Sequence, residues 1–177
     1  LSGSHNISNA LAALALGKAV NISLDPMLQV LREFKGLPHR YQTVRNLNNV
    51  TYINDSKSTN LGATLAALSS LPAKGNIILV LGGQPKGQNF SILSSSLTGF
   101  VKNILLIGEA ASEIHTAISG KIDTLFAINV EDAVLLSHKL SKSGDIVLFS
   151  PGCGSLDMFA SFEERGEKFI STVEDLK

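Results

Sequence analysis

Ile77-Ile78-Leu79-Val80-Leu81 runs straight into Gly82-Gly83, five aliphatic residues without a polar break. A strand with one wet face would alternate, so a continuous apolar run of this length implies burial on both faces, as in a parallel sheet covered by helices. Similar runs recur at 50–54, 101–107, 123–128 and 145–149, with the stretch opening at Asn76 as the second of the five. Between them lie segments of helical period at 60–71, 90–97, 110–118 and 130–140. Strands alternating with helices in this way predict a Rossmann-like, doubly wound α/β fold, its mostly parallel sheet flanked by helices on both faces. Residues 41–45 alternate better and are expected to form an edge strand, antiparallel to its neighbour.

Composition narrows the class. The chain has 177 residues, a size that fits one compact domain or one domain with a piece of another. Fifteen Lys and Arg balance fifteen Asp and Glu, which speaks against a general nucleic-acid binder or a polybasic membrane anchor. Hydrophobic residues make up 44% and the mean hydropathy is +0.22, enough for a core. No apolar run approaches the length of a membrane helix, so no membrane insertion is expected. A single cysteine, Cys153, cannot form an internal disulfide and suits a reducing cytosol. The chain starts at Leu1 without a signal-peptide pattern, and a start other than Met suggests a processed chain or an excised piece.

The two ends differ from the middle. Residues 6–18 are rich in Ala and Leu and read as a helix, and Ser23 or Asp25 can cap a second helix reaching Phe34, with Pro26 in its first turn. Both precede any strand, so 1–36 is read as the helical tail of a preceding domain and hinge, and 37–177 as the domain proper. At the other end, 155–173 reads as one long amphipathic helix: Leu156, Phe159, Phe162, Phe169, Ile170 and Val173 on one face, Glu163, Glu164, Arg165, Glu167 and Lys168 on a solvated one.

Ligands of open parallel sheets collect outside the carboxyl ends of the strands, and three polar loops fall there: 54–60, 82–87 and 150–155. In the first, Asp55 suits a ribose hydroxyl or a metal-bound phosphate, Lys57 can neutralise an anion, and Thr59 or Asn60 would cap the next helix. Each is equally an ordinary turn or cap residue. In the second, Lys86 follows a glycine turn that lacks the Gly-Lys-Ser/Thr ending of a phosphate loop, leaving a carboxylate binder or a solvated lysine. In the third, a nucleophile elbow would need glycine two residues either side of Cys153, where Pro151 and Ser155 stand, so Cys153 reads as a buried structural thiol. Ser155, at the start of the expected final helix, can offer its hydroxyl and nearby N–H groups to a carboxylate, or simply cap. His39 beside Arg40 is a candidate for an anionic ligand, while His115 and His138 read as surface residues and no zinc-like spacing occurs, so no metal site is expected in this chain.

Five ordered stretches carry a resemblance: Ser4-His5-Asn6 with Asn9-Ala10; 34–40; Asn54-Asp55-Ser56-Lys57-Ser58-Thr59-Asn60; Leu81-Gly82-Gly83 with Lys86-Gly87; and 150–159 with Phe162-Glu163-Glu164-Arg165-Gly166. Together they resemble the carboxyl-terminal third of a Mur ligase over essentially the whole chain, with the first-strand loop favouring the D-glutamate-adding branch. The resemblance implies an ATP-dependent amide ligase of cytoplasmic peptidoglycan synthesis, acting on D-glutamate and UDP-N-acetylmuramoyl-L-alanine. It implies that Asn6, Asn9, Arg40 and Asp55 contact ATP and that Lys57 sits by the reacting carboxylate. Thr59, Lys86, Ser155 and Leu156, the last through its backbone, would hold the D-glutamate carboxylates, with Phe162 walling that pocket. It places the phosphate loop, the ligands of Mg²⁺ and the nucleotide-recognition domain upstream of Leu1, so the chain alone is expected to be inactive. Two departures stand out. Gly152 and Gly154 occupy positions usually held by alanine, which is expected to loosen the backbone at Ser155. Gln84-Pro85 and Asn89 also depart from the usual loop after Gly83. A folylpolyglutamate synthetase-like ligase and a non-catalytic nucleotide-binding module are the alternatives, together with a hydrolase built on Cys153.

Overall fold

A computed structural model describes residues 4–72 and 74–177, the side chains of Ser4 and His5 excepted. Leu1, where the chain starts, and those two side chains of the first resembling stretch therefore lie outside the described residues. Two helices come first, α1 (Ser4–Ala19) and α2 (Leu24–Glu33), and pack on each other where Gly17 leaves room for Met27. Ser23 occupies the cap position of α2, yet its side chain makes no capping bond. The α/β unit follows: β1 (Gln42–Leu47), β2 (Val50–Asn54), α3 (Leu61–Ser69), β3 (Ile77–Gly82), a 3-10 turn (Phe90–Ile92) leading into α4 (Leu93–Ser96), β4 (Val101–Ile107), α5 (Ala111–Ile118), β5 (Asp123–Phe126), α6 (Val130–Leu140), β6 (Ile146–Gly152) and α7 (Phe162–Glu174).

The six strands form one sheet in the order β1-β2-β6-β3-β4-β5, all parallel except β1. The expected edge strand is present and pairs antiparallel with β2, as its alternation implied. All six residues of β3 are buried, because the sheet carries an apolar cluster on each face. On one face Leu79, Leu81, Ile104 and Leu148 meet Leu61, Leu68, Leu93 and Ile114 from α3, α4 and α5. On the other, Val80, Ile107, Val147 and Phe149 meet Val130 and Val134 of α6 and Phe169 and Val173 of α7. Phe149 and Phe169 stack in parallel at 4.6 Å. Helices on both faces of a parallel sheet are thus the observed architecture.

The final helix departs from expectation. It starts at Phe162, seven residues after Ser155, and Ser161 is its cap: extended backbone, with the Glu164 N–H donating to its hydroxyl at 3.1 Å. Glu164 reaches back to accept from the Ala160 N–H at 2.7 Å, and this reciprocal pair sets the start of the helix. Ser155 instead opens a turn in which its carbonyl accepts from Met158 and Phe159. The amphipathic pattern runs through 155–160 only because Leu156 and Phe159 happen to fall in phase.

Candidate functional site

The carboxyl ends of β2, β6 and β3 lie side by side, so the three polar loops predicted to converge do so. Backbone pairing joins two of them: the Gln84 N–H donates to the Gly154 carbonyl at 3.0 Å and Gly154 returns the bond to Gln84 at 2.9 Å. Gly154 also lets Lys86 lie across it, for a Cβ there would sit 2.7 Å from the lysine Cε. Lys86 and the Ser155 segment therefore meet at the same rim. Gly152 has φ +66°, and a Cβ on it would press on Leu61 and Thr64. Each glycine has a local structural reason at its position. One supplies a left-handed turn, the other is pinned on both sides, and Ser155 is buried.

Arg165 explains how the other loop is tied in. Expected on a solvated face, it is 0% exposed. Its Nε donates to the Ser56 hydroxyl at 3.1 Å and its Nη2 to the Ser56 carbonyl at 2.8 Å, while Nη1 donates to the carbonyls of Cys153 at 3.1 Å and Gly154 at 2.9 Å. One rigid fork thus locks the Lys57-bearing loop onto the Ser155-bearing loop. The Ser56 hydroxyl passes the link on, donating to the Phe162 carbonyl at 2.8 Å. Burial lowers the Arg165 pKa to about 10, partly offset by Asp157, so the guanidinium stays charged at neutral pH. The signal for this was in the spacing: Arg165 lies three residues after Phe162 and four before Phe169, which puts it on the apolar stripe of the helix.

Lys57 is carried on the first loop with its ammonium 3.8 Å over the Phe162 ring, a cation–π contact. His39 stands behind that ring, edge-on at 6.1 Å. His39 is buried and its ring nitrogens are engaged within the protein: its Nδ1 pairs with the Asn54 side-chain amide at 3.0 Å and its Nε2 faces the Glu167 carboxylate at 3.4 Å. Gly166 leaves the space the imidazole fills, since a Cβ there would come within 2.2 Å of Nδ1. Thr59 lies in the same loop as Lys57, and Asn60, not Thr59, caps α3 by accepting from the Ala63 N–H at 3.0 Å. The Leu156 side chain points outward, well exposed.

A second region lies beside the first, where the start of α1 approaches the end of β2. Asn6, Asn9, Arg40, Tyr41, Asp55, Lys57 and Ser58 line a cleft of about 170 Å³. It adjoins a wider hollow of about 720 Å³ that shares Asn6, Arg40 and Tyr41. The four residues expected to contact ATP are therefore neighbours. Asp55 is buried, with its carboxylate accepting from the Tyr41 N–H at 3.0 Å and from the hydroxyls of Ser58 at 2.5 Å and Ser150 at 2.8 Å. Tyr41 was not anticipated. It sits at φ +50°, and its hydroxyl is pushed up to about 12 by burial and then by Asp55.

The remaining candidates resolve simply. Cys153 is fully buried, its thiol pushed up to about 12 by that burial, so no nucleophilic thiolate forms at neutral pH. His115 and His138 are half-buried, bonded to Thr124 at 2.7 Å and to the Tyr52 hydroxyl at 2.9 Å, where the sequence suggested free surface residues. Among the described residues no group of three or more His, Cys, Asp or Glu side chains could hold a metal ion. No helix among them is long and apolar enough to cross a membrane.

A family profile described as "Mur ligase, glutamate ligase domain" matches residues 39–153, nearly the whole span from β1 to the Ser155 loop. The chain belongs to the Mur ligase family. A UDP-N-acetylmuramoylalanine--D-glutamate ligase of Acinetobacter baylyi is 45% identical over 181 residues, and one of Marinobacter nauticus is 47% identical over 177. Each match takes in 99% of this chain but only 40% of the relative, so the chain spans well under half the length of these proteins. Among solved structures, a pseudomurein peptide ligase type C from Methanothermus fervidus superposes with a TM-score of 0.76 at 18% identity, over 99% of this chain and 36% of that one. A bifunctional folylpolyglutamate synthase/dihydrofolate synthase from Yersinia pestis gives 0.72 at 19%, over 93% and 38%. Both carry the Mur ligase fold to more distant sequences, and at such identity they speak for fold alone.

Proposed function

We propose that this chain is the amino-acid-binding, carboxyl-terminal part of an ATP-dependent amide ligase that joins D-glutamate to UDP-N-acetylmuramoyl-L-alanine in the cytoplasm. The observation that carries the proposal is the convergence of Lys57, Lys86 and Ser155 on one rim, braced by Arg165. In the proposed reaction ATP phosphorylates the alanine carboxylate, the amine of D-glutamate attacks the acyl phosphate, and the tetrahedral intermediate collapses to the amide with loss of phosphate. Such chemistry needs two anionic partners clamped together, out of water and beside fixed positive charge.

The roles proposed are those the resemblance implies. Lys86, Thr59 and Ser155 would take the two carboxylates of D-glutamate, with the Leu156 N–H beside them and Phe162 as an apolar wall. Lys57, held on that wall, would sit by the carboxylate to be activated. The amides of Asn6 and Asn9 can pair with a base edge, and Arg40 with phosphate oxygens, which fits the donor chemistry of the cleft to ATP. Asp55 is already bonded to three donors and serves best by holding Tyr41 and the loop in place, with a ribose hydroxyl as its further partner. A cleft of about 170 Å³ is below the usual range for a whole nucleotide, so the adjoining hollow would have to take part of it. Mg²⁺ would take its protein ligands mainly from the upstream domain.

Helices α1 and α2 support the reading of a partner domain. Leu11, Leu16 and Val30 are 62%, 71% and 63% exposed, and α2 buries no residue. We assign this apolar surface to contact with the central, nucleotide-binding domain of the same protein. Steady-state kinetics of the full-length protein test the pocket. Lys86→Ala should raise the D-glutamate KM at least about tenfold, the size of a lost charge-assisted bond, with the ATP KM little changed. An unchanged D-glutamate KM would remove Lys86 from the pocket.

A further inference from the structure

We infer that Gln88 is a positioning residue that sets where Lys86 stands relative to Thr59 and Ser155. Gln88 sits two residues after Lys86, half-buried in the turn that closes the β3 loop. Its Oε1 accepts from the Leu61 N–H at 2.8 Å, and its Nε2 donates to the carbonyls of Pro85 at 3.0 Å and Gly152 at 2.9 Å. All three partners are backbone groups, one donor and two acceptors, so only one orientation of the amide satisfies them. A single side chain therefore ties together all three loops of the crevice. Leu61 follows the Thr59-Asn60 loop, Pro85 belongs to the Lys86 turn, and Gly152 precedes Ser155 by three residues.

The turn needs such a tether. Lys86 has φ +54°, a left-handed conformation that a lysine does not hold without outside support. The Gln88 N–H also donates to the Pro85 carbonyl at 3.3 Å, so the residue closes the turn with both backbone and side chain. At the other end, the Leu61 N–H is one of the free donors of the first turn of α3, and Asn60 already serves Ala63. Gln88 thus fixes the helix start to the lysine turn and both to the end of β6. The turn cannot shift without breaking bonds in two other loops.

This inference rests on the reading of Lys86 as a D-glutamate ligand, and one set of variants of the full-length protein separates the two. Gln88→Ala removes all three side-chain bonds and should raise the D-glutamate KM roughly tenfold, with kcat and the ATP KM within about twofold. Gln88→Glu keeps the acceptor for Leu61 but turns carboxylate oxygens toward two carbonyls, so its D-glutamate KM should rise further, on the order of 30-fold. Hydrogen exchange in the same proteins should speed up in the segments 57–64 and 84–90 and nowhere in β4 or β5. If Lys86→Ala raises the D-glutamate KM while both Gln88 variants leave it within about twofold, the positioning role is wrong and the pocket stands. If Lys86→Ala itself has no effect, the pocket falls and Gln88 with it. Parallel rises in the KM of D-glutamate and ATP, or exchange that quickens across the whole sheet, would mark Gln88 as a general stabiliser and overturn the inference.

Discussion

Replacing Arg165 with methionine probes the joint between the two loops most directly. Four hydrogen bonds from the guanidinium would be lost, two to the Ser56 hydroxyl and carbonyl and two to the carbonyls of Cys153 and Gly154. Gly154 keeps its bond from Gln84, and the Ser56 hydroxyl keeps Phe162 as an acceptor. The carbonyls of Ser56 and Cys153 would be left buried without a partner, at about 1–3 kcal/mol each. Removing a desolvated charge offsets part of this, since burial of the cation is unfavourable enough to lower its pKa to about 10. The net expectation is a loss of about 2–4 kcal/mol. In a protein of this size that corresponds to a fall in Tm of roughly 5–15 °C. Arg165→Lys should be no better than methionine. It keeps the charge buried but, lacking the planar fork, cannot reach Ser56 and Gly154 together. Urea unfolding at constant m measures both variants. A methionine variant within about 0.5 kcal/mol of the parent, or a lysine variant as stable as arginine, would refute the role of the guanidinium as the joint.

Three further outcomes follow from the same geometry. Cys153 should resist alkylation at pH 8 until the protein unfolds, and rapid modification of the native chain would contradict its burial. Because the folded-state pKa values of Cys153 and Tyr41 are both raised to about 12, from 9.0 and 10.0, the unfolded chain loses those protons first. Their contribution to stability is intact below pH 9 and declines as pH climbs from 9 toward 12; Cys153→Ala should flatten the first part of that decline in urea titrations against pH. Gly154→Ala forces the Lys86 side chain off its present path while leaving the backbone unstrained, so stability should change by less than about 1 kcal/mol. The D-glutamate KM of the full-length protein should nonetheless move severalfold, and an unaltered KM would show that the path of Lys86 over Gly154 does not matter for binding.

Local chemistry was enough for the elements that bury both faces. The aliphatic runs at 77–81 and 104–107 have no stable alternative to a covered parallel strand, and the structure places β3 and β4 there. The three loops at the strand ends were legible for the same reason, since parallel strands put all their carboxyl ends on one edge. The long final helix was misread because hydrophobic period is blind to a cap. Ser161 and Glu164 interrupt a pattern that Leu156 and Phe159 continue by chance.

What the sequence by itself determined is therefore the sheet, the helices on its two faces and the set of polar residues at its rim, all consequences of short-range periodicity and of the chemistry of single side chains. Only the tertiary structure decided the strand order, with β6 inserted between β2 and β3, and hence which loops become neighbours. It alone turned Arg165 inward, buried His39 behind Phe162 and brought Gln88 to three loops at once. The physical reason is that a buried polar side chain is stable only where groups from other parts of the chain satisfy it. For Arg165 those partners include the Ser56 hydroxyl and carbonyl, 109 residues away in the chain and beyond the reach of any local pattern.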